Sequence, residues 1–225
     1  MTFVEQTLNI VRGIFIIRNV SLYFSKEEGM TKKEEQYVMR KWQILDIALN
    51  HFIRYGFYGT STRKIAEEAG ISSGLMFHYF PNKLALYETL VEIGCEKLTI
   101  DSGDGESPLI FFEKQVEWFL SVATQNDFAA KMFVFMGLVA INAKDVSERA
   151  AQMIQEHDVE ALSVPYIIRG QEMGIIRPGD PLTLSVLFYS SIQGFAEVLA
   201  NRENLTIPKK EWFLAILKRE HREEK

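Results

Sequence analysis

Residues able to grip an anionic polymer are gathered between Thr62 and Lys83. Ser72 can accept a hydrogen bond from the orphan amides that open a helix. Lys83 sits in the first turn of the next helix, where a cation opposes the helix dipole unless an anion is bound, and a DNA phosphate would supply one. The elements around these residues are short. Thr62 to Ala69 places Ile65, Ala66 and Ala69 on one face with the helical period, and Gly70 stands where a left-handed residue closes a helix without steric cost. A second helix is predicted from Ser73 to Phe80, stopped by Pro81. Met76 and Phe80 form its inward face and leave Ser73, Gly74, Leu75, Phe77 and Tyr79 outside. That outer face is poor for a solvated helix and suits one covered by a partner. The whole reads as a helix-turn-helix whose second helix lies in a DNA major groove; the plain alternative is a small helical corner with a solvated lysine.

The stretch ILDIALNHFIRYGFYGTSTRKIAEEAGISSGLMFHYFPNK, Ile44 to Lys83, resembles the TetR-type one-component transcriptional regulators of bacteria without a gap. The helix ending in Phe52, the Gly56 turn, Thr62-Arg63 before Ile65-Ala66, Gly70-Ile71-Ser72, the aromatic run and Pro81-Asn82-Lys83 fall at the family's spacings. The resemblance implies that Thr62, Tyr79 and Lys83 hold phosphates while Arg63, Ser73, Gly74, Leu75 and Phe77 face the groove. Leu75 stands where the family commonly has a hydroxyl residue and Phe77 where it has tyrosine, which favours apolar contact with thymine methyls. It also implies a homodimer whose body binds a small molecule, and that binding moves the reader helices apart and releases DNA.

Composition agrees with such a division of labour. The 225 residues are 47% hydrophobic and 24% charged, enough to bury a full core, and the abundance of 3.6-period stretches predicts an all-α fold. A net charge of −5 looks wrong for a DNA binder until it is divided. Residues 31–83 carry eight Lys or Arg against five Asp or Glu, and residues 84–225 carry fourteen against twenty-two, so an acidic body would be held away from the phosphates. The single cysteine, Cys95, excludes an internal disulfide framework and a Cys-rich zinc site and suits a reducing cytosol; its plain role is a small buried hydrophobe.

Three regions are expected: a 1–30 extension, a 31–83 helix-turn-helix DNA-binding domain, and an 84–225 effector-binding and dimerisation domain. Leu8 to Phe24 is apolar, but Arg12, Arg18 and Asn19 interrupt it, so neither a membrane span nor a signal peptide is read there. It is either an extra helix or a stretch outside the working protein. The purine-rich codons of Lys26-Glu27-Glu28-Gly29 favour Met30 as the native start. Lys32 to Tyr55 reads as the first helix, with Ile44, Ala48 and Phe52 inward, Gly56 as its stop, and Lys32, Lys33, Arg40 and Lys41 as possible backbone contacts or a solvated face. Leu84 to about Ile100 continues as a helix that joins reader to body, and 101–107 is a loop. Phe111, Phe112, Trp118 and Phe119 spread around a helix, and Met132 to Ile141 reads as a central core helix. Ser147–Met173 is long and mixed, Gly174–Pro181 is a turn segment, and Leu182–Asn201 and Lys209–His221 close the chain as two helices.

No Gly-rich phosphate loop, nucleophile elbow or zinc-hydrolase motif is present, so an enzyme reading has no residues to stand on, and neither metal nor cofactor is expected. His157 and Glu160, three apart on a helix, lack a third ligand. Trp118, Phe133, Met136, Met153, His157, Tyr166, Tyr189 and Gln193 are ordinary core one by one; together, given the resemblance, they are candidates to line an apolar effector pocket. A neutral or cationic apolar effector is favoured, with lipid-like anions open through Lys131. Phe195, Leu199, Trp212 and Leu217, on the last two helices, are candidates for a dimer seam. The expected protein is thus a cytoplasmic repressor of double-stranded DNA, released by a small apolar effector and without a membrane partner. The alternatives are a regulator or nucleoid factor governed by a protein partner, and an enzyme with a structural helix-turn-helix.

Overall fold

Thr31 and Glu34 begin the described chain with a capping box: the Glu34 amide donates to the Thr31 hydroxyl at 3.3 Å and the Thr31 amide to the Glu34 carboxylate at 2.8 Å. The computed structural model describes residues 31–97, 107–125, 127–202 and 205–219. The expectations for residues 1–30, for 101–106, for Leu98 to Ile100 and for the chain beyond Arg219 fall outside them. The described chain is all-α, with helices α1 (Lys32–Gly59), α2 (Thr62–Glu68), α3 (Ser73–Tyr79), α4 (Lys83–Lys97), α5 (Pro108–Gln125), α6 (Asp127–Val146), α7 (Glu148–Glu156), α8 (Val159–Glu172), α9 (Pro181–Asn201) and α10 (Lys210–Leu214). It divides into two compact units, one containing the chain up to Glu96 with Leu138–Ala151, the other Lys97–Gly137 with the chain from Gln152.

In the first unit α1 buries Ile44, Ala48 and Phe52 together with Trp42, Leu45 and Leu49. Gly56, at φ 65°, breaks its helical path as expected, and a single further turn carries the chain to Gly59. Ile65, Ala66 and Ala69 of the α2 segment, and Leu86, Leu90 and Ile93 of α4, complete this core. The unit reaches past Lys83 and takes in the end of α6. There the Tyr58 hydroxyl donates to the Asp145 carbonyl at 2.5 Å, and Ser147 both caps α7 through the Ala150 amide and donates to Glu88 of α4. Arg149 lies 3.7 Å from Glu88 and 3.5 Å from Glu92.

The second unit is organised around α5, α8 and α9. Phe111, Phe112, Phe119, Ile167, Phe188 and Ile192 form its centre, closed by Phe213, Leu214 and Leu217. α8 fits closely against the turn that follows it: a Cβ on Gly170 would stand 2.5 Å from Ile176 Cδ1. Asp180 caps α9 through the Thr183 amide, 2.8 Å, and Pro181 takes the first helical position, where its missing N–H costs nothing. By length and composition α9 could cross a membrane, but so can the core helix of a globular protein, and its inner row Leu184, Phe188, Ile192 and Ala196 is buried.

Four expectations are corrected. The long mixed segment is two helices, because Asp158 accepts from the Ala161 amide at 2.9 Å and starts α8; His157 and Glu160 therefore lie on different helices and share no face. The last helix stops at Leu214: its continuation leaves the helix so that the Arg177 amide can donate to Leu217 and the Arg219 amide to Ile175. α6 is not buried all round, since Ile141 is 80% exposed. α3 ends at Tyr79, one residue early, because Pro81 drives Phe80 into an extended conformation.

Candidate nucleic-acid interface

α2 and α3 are too short to persist alone, so their geometry depends on caps and buried anchors. Gly70 adopts φ 67°, and the Gly70 and Ile71 amides donate back to Glu67 and Ala66, satisfying the last carbonyls of α2. Ser72 opens α3, its hydroxyl accepting from the Leu75 amide at 3.2 Å. Met76 and Phe80, 1% and 3% exposed, nail the inner side of α3 to the core. Ser73, Gly74, Leu75, Phe77 and His78 are then turned to solvent, with Leu75 43% and Phe77 50% exposed.

The cations sort into two groups. Lys83 donates to the Phe57 carbonyl at 2.7 Å, the Thr60 carbonyl at 2.9 Å and, weakly, the Tyr58 carbonyl at 3.5 Å, and its ammonium stands over the Phe57 ring. Three donors meet three carbonyls at the end of α1, so Lys83 acts as a cap there and the dipole argument for a bound phosphate falls away; burial also holds its pKa below the ordinary lysine value. Arg40 likewise donates to the Ala69 carbonyl at the end of α2, 3.0 Å, and to Gln43. Lys41 is half-buried over Phe80, desolvation lowering its pKa. Lys32, Lys33, Arg63 and Lys64 remain exposed, Arg63 tethered to Glu67 of its own helix at 3.1 Å. Thr62 is half-buried at the first position of α2.

Two residues escaped the sequence reading. Tyr37 stacks on Tyr79 at 4.9 Å and meets His78 edge-on at 6.3 Å, which ties the start of α1 to the end of α3. The signal was available: the inward stripe Ile44, Ala48, Phe52, carried back two helical turns, lands on Tyr37. His51 pairs with Glu68 at 2.9 Å and joins α1 to α2.

The segment that holds this capped two-helix corner, residues 44–90, matches the model of the bacterial regulatory proteins of the tetR family. This segment belongs to the tetR family. The HTH-type transcriptional regulator RutR of Escherichia coli (strain K12) is 26% identical over 181 residues, covering 78% of this chain and 82% of RutR. In fold the chain is similar to the ketosteroid transcriptional regulator KstR2 of Mycobacterium tuberculosis, with TM-score 0.61, 19% identity, and coverage of 80% of this chain and 96% of that one. It is also similar to AibR, solved with isovaleryl coenzyme A and operator DNA, with TM-score 0.56, 16% identity, and coverage of 78% and 94%.

Outside the tetR-family segment, the body residues singled out from sequence fall into separate groups. Trp118 and Phe133 meet at 5.7 Å, and Phe133 also stands edge-on to Phe119. Tyr166 stacks on Phe111 at 3.8 Å, Tyr189 packs edge-on to Phe188, and Met136 is buried. The Gln193 side chain lies over Gly137, so close that a Cβ there would be 2.3 Å from Gln193 Nε2. The Met153 carbonyl lies 2.9 Å from His157 Nδ1. The Tyr189 hydroxyl is buried and makes no hydrogen bond of acceptable geometry, although Ser163 is near. Ser163 and Ser185 have two protons for three contacts, to each other at 2.7 Å and to the Glu160 carbonyl at 3.1 and 2.9 Å. Burial raises the Tyr189 pKa, and burial with Asp158 raises that of Glu160. Among the described residues no three His, Cys, Asp or Glu side chains gather as a metal site.

Of the dimer candidates, Leu217 is fully buried in its own chain and leaves the set. Phe195 packs edge-on to Phe119 and Phe213, and Leu199 is half-buried. Trp212, at 64% exposure, and the outer face of α9, Leu182, Val186, Leu187 and Val198, are the apolar side chains that reach solvent there.

Proposed function

We propose that this protein is a homodimeric transcriptional repressor that leaves a pseudo-palindromic operator when a small, largely apolar effector occupies its body. The observation that carries the reading is α3: a capped, anchored helix that turns Leu75 and Phe77 outward beside exposed cations has no stabilising reason to do so without a covering partner. Residues 31–83 are the reader, with Arg63, Ser73, Gly74, Leu75 and Phe77 toward the groove and Thr62 and Tyr79 toward phosphates. Residues 84–225 are the effector and dimer domain. The exposed side of α9 and Trp212 join two copies and space the readers by about 34 Å, one turn of DNA.

The effector belongs beside Tyr189. An apolar ligand gains roughly 25 cal/mol per Å² removed from water, and the orphan Tyr189 hydroxyl asks for one hydrogen-bond acceptor on it. AibR, with its acyl-coenzyme A and operator DNA, supports the general design and not the identity of the ligand. The deciding experiment is a mobility shift on the DNA flanking the protein's own coding region, titrated with apolar compounds that raise its melting temperature. Release of DNA at the concentrations that stabilise the protein is expected. Stabilisers that leave DNA bound would reject the coupling, and Tyr189→Phe should weaken the effective compounds selectively.

A further inference from the structure

We propose that α3 reads its DNA through the methyl groups of thymine rather than through hydrogen bonds to base edges. This rests on the DNA-reading role above and adds which chemistry does the reading. The outward side chains of α3 are Ser73, Leu75, Phe77 and His78, with Gly74 open to a close approach. None is an arginine, lysine, asparagine or glutamine, the residues that distinguish guanine or adenine by paired hydrogen bonds; Ser73 can bond to any base, and the His78 ring is engaged by Tyr37 at 6.3 Å. Arg40 of α1 and Lys83 of α4 are turned inward: Arg40 holds the end of α2 and Lys83 the end of α1. What meets the groove floor is therefore a leucine and a phenylalanine, each about half exposed, and the one base-edge group that rewards apolar contact is the thymine C5-methyl.

The occupant is DNA and not a protein because exposed cations accompany the apolar patch. Lys33 lies one turn before Tyr37, whose ring stacks on Tyr79 at the far end of α3, and Lys64 stands exposed on α2. An apolar strip with a cation beyond its Tyr79 end suits a major groove, with phosphates at its walls and methyls on its floor. It does not match an apolar protein surface.

The full-length protein would be used to select from a pool of duplexes with a random central segment, and the enriched duplex resynthesised with deoxyuridine at single thymidine positions. Each contacted methyl should be worth roughly fourfold in affinity, the ratio expected for one buried methyl group, and the other thymines nothing. Leu75→Ala and Phe77→Ala, both at exposed positions, should melt like the wild type yet bind the thymidine and deoxyuridine duplexes alike, whereas Ser73→Ala should keep the discrimination. If the enriched duplex binds equally well with deoxyuridine at every position, methyl reading is wrong while the DNA-reading role stands. If no duplex is enriched, that role fails and the methyl reading with it.

Discussion

α3 and α9 both leave large apolar side chains in solvent, yet they present them in opposite settings. On seven-residue α3, Leu75 and Phe77 are islands beside exposed lysines and arginines, on a helix that exists only through its caps and two buried anchors. On α9, Leu182, Val186, Leu187 and Val198 are spread over the exposed side of a 21-residue helix whose other side is core, with Glu197 the lone charged residue on it. An exposed apolar residue says little until its neighbours are counted: charge around it points to a polyanion with apolar edges, and its absence points to a second apolar face.

The largest effect should come from α9. Val186→Glu combined with Leu187→Glu places charge on that exposed side without touching the core. Sedimentation should show monomer, and operator affinity should fall by roughly a hundredfold or more as the two half-sites lose their tether. An unchanged dimer would move the seam off α9.

Next is Lys83, where the structure reverses the sequence argument. Lys83→Met keeps the aliphatic stem over Phe57 and removes three donated hydrogen bonds, so it should cost about 1.5–3 kcal/mol of stability with the salt dependence of DNA binding unchanged. A variant of normal melting temperature whose salt slope drops by about one unit would restore the phosphate role.

Arg63 is the control, exposed and held only by Glu67 on its own surface. Arg63→Ala should leave melting within about 0.5 kcal/mol and cost roughly 1–3 kcal/mol of affinity, unevenly across operator positions. A uniform loss across sequences would make it a phosphate contact instead.

The smallest effect is in the body. Burial and Asp158 raise the Glu160 pKa above its unfolded value of about 4.5, so in the window above that value the folded state holds a proton that the unfolded state has lost. The stabilisation from protonated Glu160 is complete below the window and is lost as pH rises through the folded pKa. Glu160→Gln should therefore flatten melting temperature against pH on the acid side of neutrality. A curve parallel to the wild type would mean that Glu160 is not perturbed.

Much of the reader was legible in sequence because its determinants are local. Gly70, Ser72 and Pro81 act within a few residues of the backbone they shape, and the periodicity of Ile65, Ala66, Ala69 and of Met76, Phe80 selects the buried face from one helix alone. The same locality made the α7–α8 break hard to see: Asp158 is a good cap, but nothing apolar punctuates the segment around it, and a charged residue in a helix looks the same as one at its start. Local rules also misjudged the end of the chain, where a helical pattern yields to backbone pairing with Ile175–Arg177.

By itself the sequence determined the helical content, the corner of α2 and α3, and the outward position of Ser73, Gly74, Leu75 and Phe77, since each depends on caps and a 3.6-residue period; it put Tyr79 outside, where the structure turns out His78 and stacks Tyr79 on Tyr37. Only the tertiary structure decided what the cations do. Arg40 and Lys83 bond to carbonyls 29, 26 and 23 residues away, partners that no spacing rule brings together, and each thereby changes from a plausible phosphate contact to a clasp on the end of a helix. It likewise decided that Leu217 is core while Trp212, five residues earlier, is surface, because the turn after Leu214 abandons the helical period on which the two would have shared a broad face.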